Sequence, residues 1–225
     1  MKLSIIVPTY CRFGRIVKVI EKLLANFPEA EIIVINDGST DETKRIQKIF
    51  ENKIVYLENS SNKGKGFSLR KGFKRASGDF LIFTDDDLPY GIEGIKQIIA
   101  GLEEGYDIVI AQRSKFYNDI FLKALARPCL YILLKILFGL RFKDTQAGLK
   151  GFTKQAGKRL WGHSISKGFA VDIEILYLAK RLKYKIKEIP LEQTRESFLV
   201  STFNLGRIID MFIELIKIRL HHYEL

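Results

Sequence analysis

Cysteine is scarce: Cys11 and Cys129 are the only two in 225 residues. They stand far apart and without metal-ligand spacing, which excludes a disulfide framework and fits two structural thiols in a reducing compartment. The three histidines, His163, His221 and His222, form no metal-ligand set either. Uninterrupted apolar runs of membrane-spanning length are missing as well. The stretch Ile120 to Leu140 is strongly apolar but is broken by Lys123, Arg127, Pro128 and Lys135, and the run after Lys2 stops at Pro8. The first is a poor transmembrane span and the second is too short for a signal peptide, so the chain is expected to begin in the cytosol. Two nucleotide-binding fingerprints are also absent. No Gly-x-Gly-x-x-Gly follows the first strand, and Gly64-Lys65-Gly66 lacks the upstream Gly and the Ser/Thr of a phosphate-binding P-loop. Ordinary dinucleotide and P-loop enzymes lose weight accordingly. Acidic residues are outnumbered, 26 against 37 Lys and Arg, giving a net charge of +11 and a pI near 9.5. Nucleic acid, acidic lipid and phosphorylated substrates all remain admissible anionic partners.

What is present is enough apolar residue, 47%, to bury one large core. Leu3 to Val7 reads as a strand ending at Pro8-Thr9-Tyr10, and Ile16 to Phe27 as a helix closed by Pro28. Glu31 to Asn36 is a second strand, and Ser39 and Glu42 have capping-box spacing for a helix through Phe50. Ile54 to Glu58 repeats the pattern, and the loop Asn59 to Gly66 leads into a basic helix through Ala76. Gly91 to Glu104 reads as a helix and Tyr106 to Ala111 as a further strand. Three β-α units followed by a fourth strand imply an α/β fold with a mostly parallel sheet, whose ligands bind beyond the carboxyl ends of the strands.

That fourth strand, Phe80 to Thr84, runs into Asp85-Asp86-Asp87. If extended geometry persists, Asp85 and Asp87 share a side and Asp86 points away. Two hard oxygen ligands suit Mg²⁺ or Mn²⁺ completed by waters and substrate phosphates. An acidic turn capping the next helix accounts for the triplet alone equally well.

Two segments carry more apolar surface than a surface helix requires. In 120–140, Lys123, Arg127 and Lys135 fall on one arc beside a wide apolar face. From Leu205 to Tyr223, Arg207, Asp210, Glu214, Lys217 and His221 cluster on one side, and apolar residues cover much of the rest. Packing on the domain core explains either helix, but two cationic helices of this kind favour a membrane-interface enzyme or an oligomer. The expected division is a catalytic domain over 1–203, including the interfacial segment 119–140, and a C-terminal amphipathic helix over 204–225.

Five segments in order, Ile5-Ile6-Val7-Pro8-Thr9-Tyr10, Val34-Ile35-Asn36-Asp37-Gly38-Ser39-Thr40-Asp41, Asn62-Lys63-Gly64-Lys65-Gly66, Asp85-Asp86-Asp87 and Asp144-Thr145-Gln146-Ala147-Gly148, resemble successive signatures of one family. They look like family 2 glycosyltransferases of the GT-A fold, and more narrowly the dolichyl-phosphate and polyprenyl-phosphate glucosyl- and mannosyltransferases. The later segment Phe169 to Arg195 is similar too. The resemblance implies that Pro8, Tyr10 and Asp37 line the pocket for the base and ribose of a UDP- or GDP-hexose. It puts Lys65 near the nucleotide and a metal at the diphosphate on Asp85 and Asp87, with Asp86 and Gln146 among the substrate-binding residues. Arg113, Arg127 and Arg195 resemble phosphate-contacting positions, and Asp172 and Glu174 resemble the acidic pair on the acceptor side. Pro89 replaces a Gln of the mannose synthases, so the glucosyl branch is nearer.

The resemblance therefore implies an inverting, metal-dependent transfer of a hexose, glucose before mannose, to dolichyl or polyprenyl phosphate. Such an enzyme would sit peripherally on an anionic membrane at its cytosolic face, as a monomer or homo-oligomer, without nucleic acid. A phosphate acceptor is already ionised, which leaves Asp172 to position rather than deprotonate. The rival readings are a related transferase acting on a sugar hydroxyl and, from another class, a non-enzymatic basic nucleic-acid-binding module.

Overall fold

The computed structural model describes residues 1–114, 134–194 and 205–222. In strand β1 (Leu3–Thr9), Ile5 and Val7 enter one core and Ile6 the other. Strand β2 (Glu31–Asn36) does the same with Ile32 and Val34 against Ile33 and Ile35, as the two-residue period of a strand requires. The continuous apolar runs legible in the sequence are thus strands buried on both faces.

Helix α1 (Phe13–Asn26) buries Ile16, Val19, Ile20 and Leu23, a stripe at helical spacing. A 3-10 turn (Glu42–Arg45) and the short helix α2 (Ile46–Ile49) precede strand β3 (Val55–Glu58). The cap of that turn is Asp41, which accepts the Thr43 N–H at 3.0 Å. Ser39, expected as the cap, instead accepts the Cys11 N–H at 2.9 Å and ties the first two loops together. Helix α3 (Lys65–Arg75), strand β4 (Phe80–Thr84), helix α4 (Gly91–Glu103) and strand β5 (Ile108–Arg113) follow. The second half adds strand β6 (Leu149–Thr153), helices α5 (Lys154–His163) and α6 (Val171–Arg181), strand β7 (Ile186–Leu191) and helix α7 (Leu205–His221).

The seven strands lie in the order β3-β2-β1-β4-β6-β5-β7. The expected mostly parallel sheet is present, with β6 antiparallel to both β4 and β5. Strand β6 has no counterpart in the sequence reading because its second residue, Lys150, is a lysine with no solvent exposure. Loops after β1, β2 and β4 and the start of α3 meet at one edge of the sheet, and β6 enters from that edge.

Helix α7 belongs to the core: Leu215 and Ile218 are fully buried beside α6 residues such as Ile175 and Leu178. Residues 134–138 are also helical, with Leu134 and Phe138 buried and Ile136 exposed. The remainder of the expected interfacial segment, with Arg127 in it, lies outside the described residues, as does Arg195. Among the described residues no helix is long and apolar enough to cross a membrane.

Candidate active site

The site begins where β4 stops. The strand ends at Thr84 and residues 86–87 form a turn, closed by Leu88 N–H to Asp85 O at 3.1 Å. Extended geometry therefore does not run through the triplet, yet the carboxylates still diverge. Asp86 accepts the Thr9 hydroxyl at 2.7 Å, whereas Asp85 receives the Lys65 ammonium at 2.9 Å. Leu88 holds a φ of +44° and is buried, a left-handed conformation that fixes the turn at a cost of about 1–2 kcal/mol. Pro89 brings no side-chain ligand, and its carbonyl accepts the Thr194 N–H at 2.8 Å.

Asp87 is the unanswered member. Its Oδ1 is buried with no hydrogen-bond partner among the described residues. Burial, followed by the charges of Asp85 and Asp86, pushes its carboxyl up to about 6. Burial also raises Asp86, partly offset by Thr9. An orphaned, partly buried carboxylate beside two others fits a divalent cation. No group of three or more Asp, Glu, His or Cys among the described residues is arranged to hold such an ion alone, which suits an ion completed by substrate oxygens and water.

Lys65, the first residue of α3, bridges Asp85 and Asp172, with 3.2 Å to Asp172 Oδ2. Asp172, on the first turn of α6, is also met by Lys150 at 2.6 Å. Lys150 completes its bonding with the Ala147 carbonyl at 2.7 Å and lies over the Phe83 ring. Burial alone would raise the Asp172 carboxyl, but Lys150 and then Lys65 outweigh it and hold it below the usual carboxylate range. Lys150 is the residue that sequence reasoning missed. Its signal was the alternation within Leu-Lys-Gly-Phe-Thr, which puts it on the face of Phe152.

The other expected site residues divide between the site edge and the scaffold. Pro8 and Tyr10 stand at the carboxyl end of β1, Tyr10 exposed. Asp37 is committed to the loop that follows β3: Oδ1 accepts Asn59 Nδ2 at 2.7 Å and Lys63 N–H at 2.9 Å, and Oδ2 accepts Gly64 N–H at 2.8 Å. Arg113 makes a two-pronged pair with Asp144, Nε to Oδ2 at 2.6 Å and Nη2 to Oδ1 at 2.8 Å. Gln146 reaches the Met211 sulfur of α7 at 3.6 Å.

Glu174 does not accompany Asp172. Fully buried, it accepts the N–H groups of Ile165 and Ser166 at 2.8 Å each and contacts His222 Nε2 at 2.7 Å. It is a scaffold carboxylate for the loop before α6. The same loop is held from α7 by Glu214, whose Oε1 accepts Ser166 Oγ, Lys167 N–H and Gly168 N–H at 2.6, 2.9 and 3.1 Å. The Lys167 carbonyl then accepts Gly66 N–H at 2.8 Å, next to Lys65.

Residues 4–163 match the family described as Glycosyl transferase family 2. The chain is 28% identical over 219 residues to a dolichyl-phosphate beta-glucosyltransferase of Saccharomyces cerevisiae, covering 84% of this chain and 66% of that protein. It is 30% identical over 241 residues to a protein of the same description from Trichomonas vaginalis, covering 98% and 73%. The chain thus spans roughly two thirds to three quarters of these relatives. Among solved structures, the glucosyl-3-phosphoglycerate synthase of Mycobacterium tuberculosis with Mn²⁺, UDP and its product superposes with a TM-score of 0.72. That match has 22% identity and covers 97% of this chain and 78% of that one.

Proposed function

Because the chain belongs to glycosyl transferase family 2 and has the GT-A fold, we propose that it transfers glucose from UDP-glucose to dolichyl or polyprenyl phosphate. The observation that carries the choice of acceptor is the pairing of Asp172 with two ammonium groups. A carboxylate so held has little affinity for a proton and is a poor general base. A sugar hydroxyl needs such a base; a phosphate monoester is ionised without one.

The β-linked product in the relatives' names, formed from an α-linked donor, requires inversion at the sugar's C1. An acceptor phosphate oxygen forms its bond to C1 while the C1–O bond to the diphosphate breaks, and the electron pair leaves with UDP. When bound, Mg²⁺ or Mn²⁺ supplies a Lewis acid for that departing charge, and Asp85 and Asp87 are the side chains that would hold it. Lys65 stays charged because Asp172 and Asp85 outweigh its burial, and its ammonium offsets negative charge at the same place. Pro8 and Tyr10 flank the base and ribose, and Asp37 keeps the 63–64 loop closed behind them. With a lipid acceptor the reaction belongs at a membrane surface, which we assign to the cytosolic face.

The test is a donor screen with polyprenyl phosphate and Mn²⁺ or Mg²⁺, following nucleoside diphosphate release and lipid-linked sugar. UDP-glucose is expected to give both. Turnover of GDP-mannose instead would replace the donor, and no lipid-linked product from any donor would overturn the proposal.

A further inference from the structure

Helix α7 is apolar on two sides. Met211, Leu215 and Ile218 face the core, while Phe212, Ile213, Ile216 and Leu220 point outward, the last two 54% and 70% exposed. At about 100° per residue these four fall within an arc of roughly 100°, flanked by Arg219 on one side and Lys217 on the other. Arg219 also lines a cleft of about 380 Å³ with Tyr177, Lys180, Arg181 and the exposed Ile136. Within it, Arg181 and Arg219 each donate Nη1 to the Tyr177 hydroxyl oxygen at 3.2 Å, so two guanidinium groups converge on one neutral atom. Lys180 donates to the Gly139 carbonyl at 2.6 Å. Neither Lys180 nor Arg181 makes an ion pair among the described residues.

Cations in the last turn of α6 complement its dipole, which explains their presence there. It does not explain the apolar stripe of α7 beside them. Lys180 lies eight residues beyond Asp172, about 12 Å along the helix axis, so the cleft is not the transfer site.

We propose that the cleft and the stripe together dock an anionic lipid bilayer. A lipid phosphate sits against Lys180 and Arg181 in the cleft, while Phe212, Ile213, Ile216 and Leu220 enter the boundary between headgroups and acyl chains. Charge complementarity selects this occupant: Lys180 and Arg181, neither in an ion pair among the described residues, stand together there on a chain of net charge +11. Nucleic acid would engage the cations but leave the four apolar side chains in water. The inference deepens the reading of the chain as a transferase with a lipid-borne acceptor, and rests on it for its biological sense only.

Sedimentation with phosphatidylcholine vesicles, with and without phosphatidylserine, tests it with no sugar donor or acceptor present. The full chain is expected to partition to the anionic vesicles and weakly to the neutral ones. Lys180→Glu/Arg181→Glu should lower partitioning at least about 25-fold, since each cation near a surface is worth about fivefold. Ile216→Glu/Leu220→Glu should lower it comparably, and Lys48→Glu/Lys53→Glu, beside the other core, far less. All six positions lie at least partly in solvent, and circular dichroism checks that each variant is folded. Wild-type protein that stays in the supernatant overturns the inference. So does equal sedimentation after both docking substitutions, or binding of an RNA oligonucleotide in place of the vesicles. Transfer in detergent without vesicle binding would sink the docking site alone; vesicle binding without transfer to any acceptor would sink the transferase reading alone.

Discussion

Lys150 and Asp172 form a 2.6 Å ion pair in which the side chains are 0% and 3% exposed. Lys65 approaches the other oxygen of the same carboxylate and carries the contact on to Asp85. Asp172 is thus neutralised from the strand and from α3 together, which fits the positioning role proposed for it. Removing one partner of such a pair strands a buried charge.

Asp172→Asn should therefore cost about 3–5 kcal/mol of stability, because Lys150 loses its counter-charge in a dry site. Lys150→Met/Asp172→Leu should recover much of that loss, which urea denaturation of the three proteins would read. The folded carboxyl titrates below its unfolded value, so its contribution is full above about pH 4 and is lost as the pH falls further. An Asp172→Asn variant as stable as wild type would mean that the pair is not charged.

Asp87 behaves in the opposite sense. Its folded pKa of about 6 lies above the unfolded value, so the metal-free fold binds the proton more tightly and loses stability as pH rises from about 4 through 6. Asp87→Asn should remove that slope and stabilise the metal-free protein at pH 7, on the order of 2–3 kcal/mol, while nearly abolishing transfer. Thermal melts across this window, with and without Mn²⁺, are the check. Mn²⁺ should raise the Tm of wild type and leave the variant unmoved, and an identical Mn²⁺ response in both proteins would remove Asp87 from the metal site.

Gly148 lies against Asp85: a Cβ at position 148 would stand 2.0 Å from Asp85 Oδ2, while the Gly148 carbonyl accepts the Asp85 N–H at 2.9 Å. Gly148→Ala should displace that carboxylate and lower kcat/KM on the order of ten- to a hundredfold, equivalent to ~1.4–2.8 kcal/mol. Unchanged kinetics in a folded variant would show that the position of Asp85 is not critical.

Glu214 links the C-terminal helix to the site through the 166–168 loop. Glu214→Ala deprives two backbone N–H groups and a hydroxyl of their acceptor, an expected loss of about 1–3 kcal/mol. Glu214→Gln, whose amide oxygen still accepts, should recover part of it. Hydrogen exchange at Lys167 and Gly168 should quicken in the alanine variant, and exchange as slow as in wild type would mean that the loop is held without α7.

Strands β1, β2 and β4 were legible because strands buried on both faces write themselves as apolar runs, and the acidic turn because it follows one directly. The glycosyltransferase fold and family followed from five short segments in order. The strand carrying Lys150 was not legible, since a buried lysine is intelligible only beside Asp172, 22 residues later. The separation of Glu174 from Asp172 was hidden for a related reason. Two residues apart on a helix, they face different neighbours, one the lysines and the other the 165–166 loop and His222. The excess apolar surface of α7 was visible in sequence, but only packing divides it into a core face and an outward face.

The most direct measurement compares acceptors at fixed UDP-glucose and Mn²⁺: polyprenyl phosphate against a glycan offering only hydroxyl groups, with initial rates followed across pH. Glucosyl phosphate lipid should form at a rate that levels off once the acceptor phosphate is doubly ionised, above about pH 7, and the glycan should remain unmodified. Glucosylation of the glycan with no turnover of polyprenyl phosphate would contradict the assignment of Asp172 as a neutralised, positioning carboxylate.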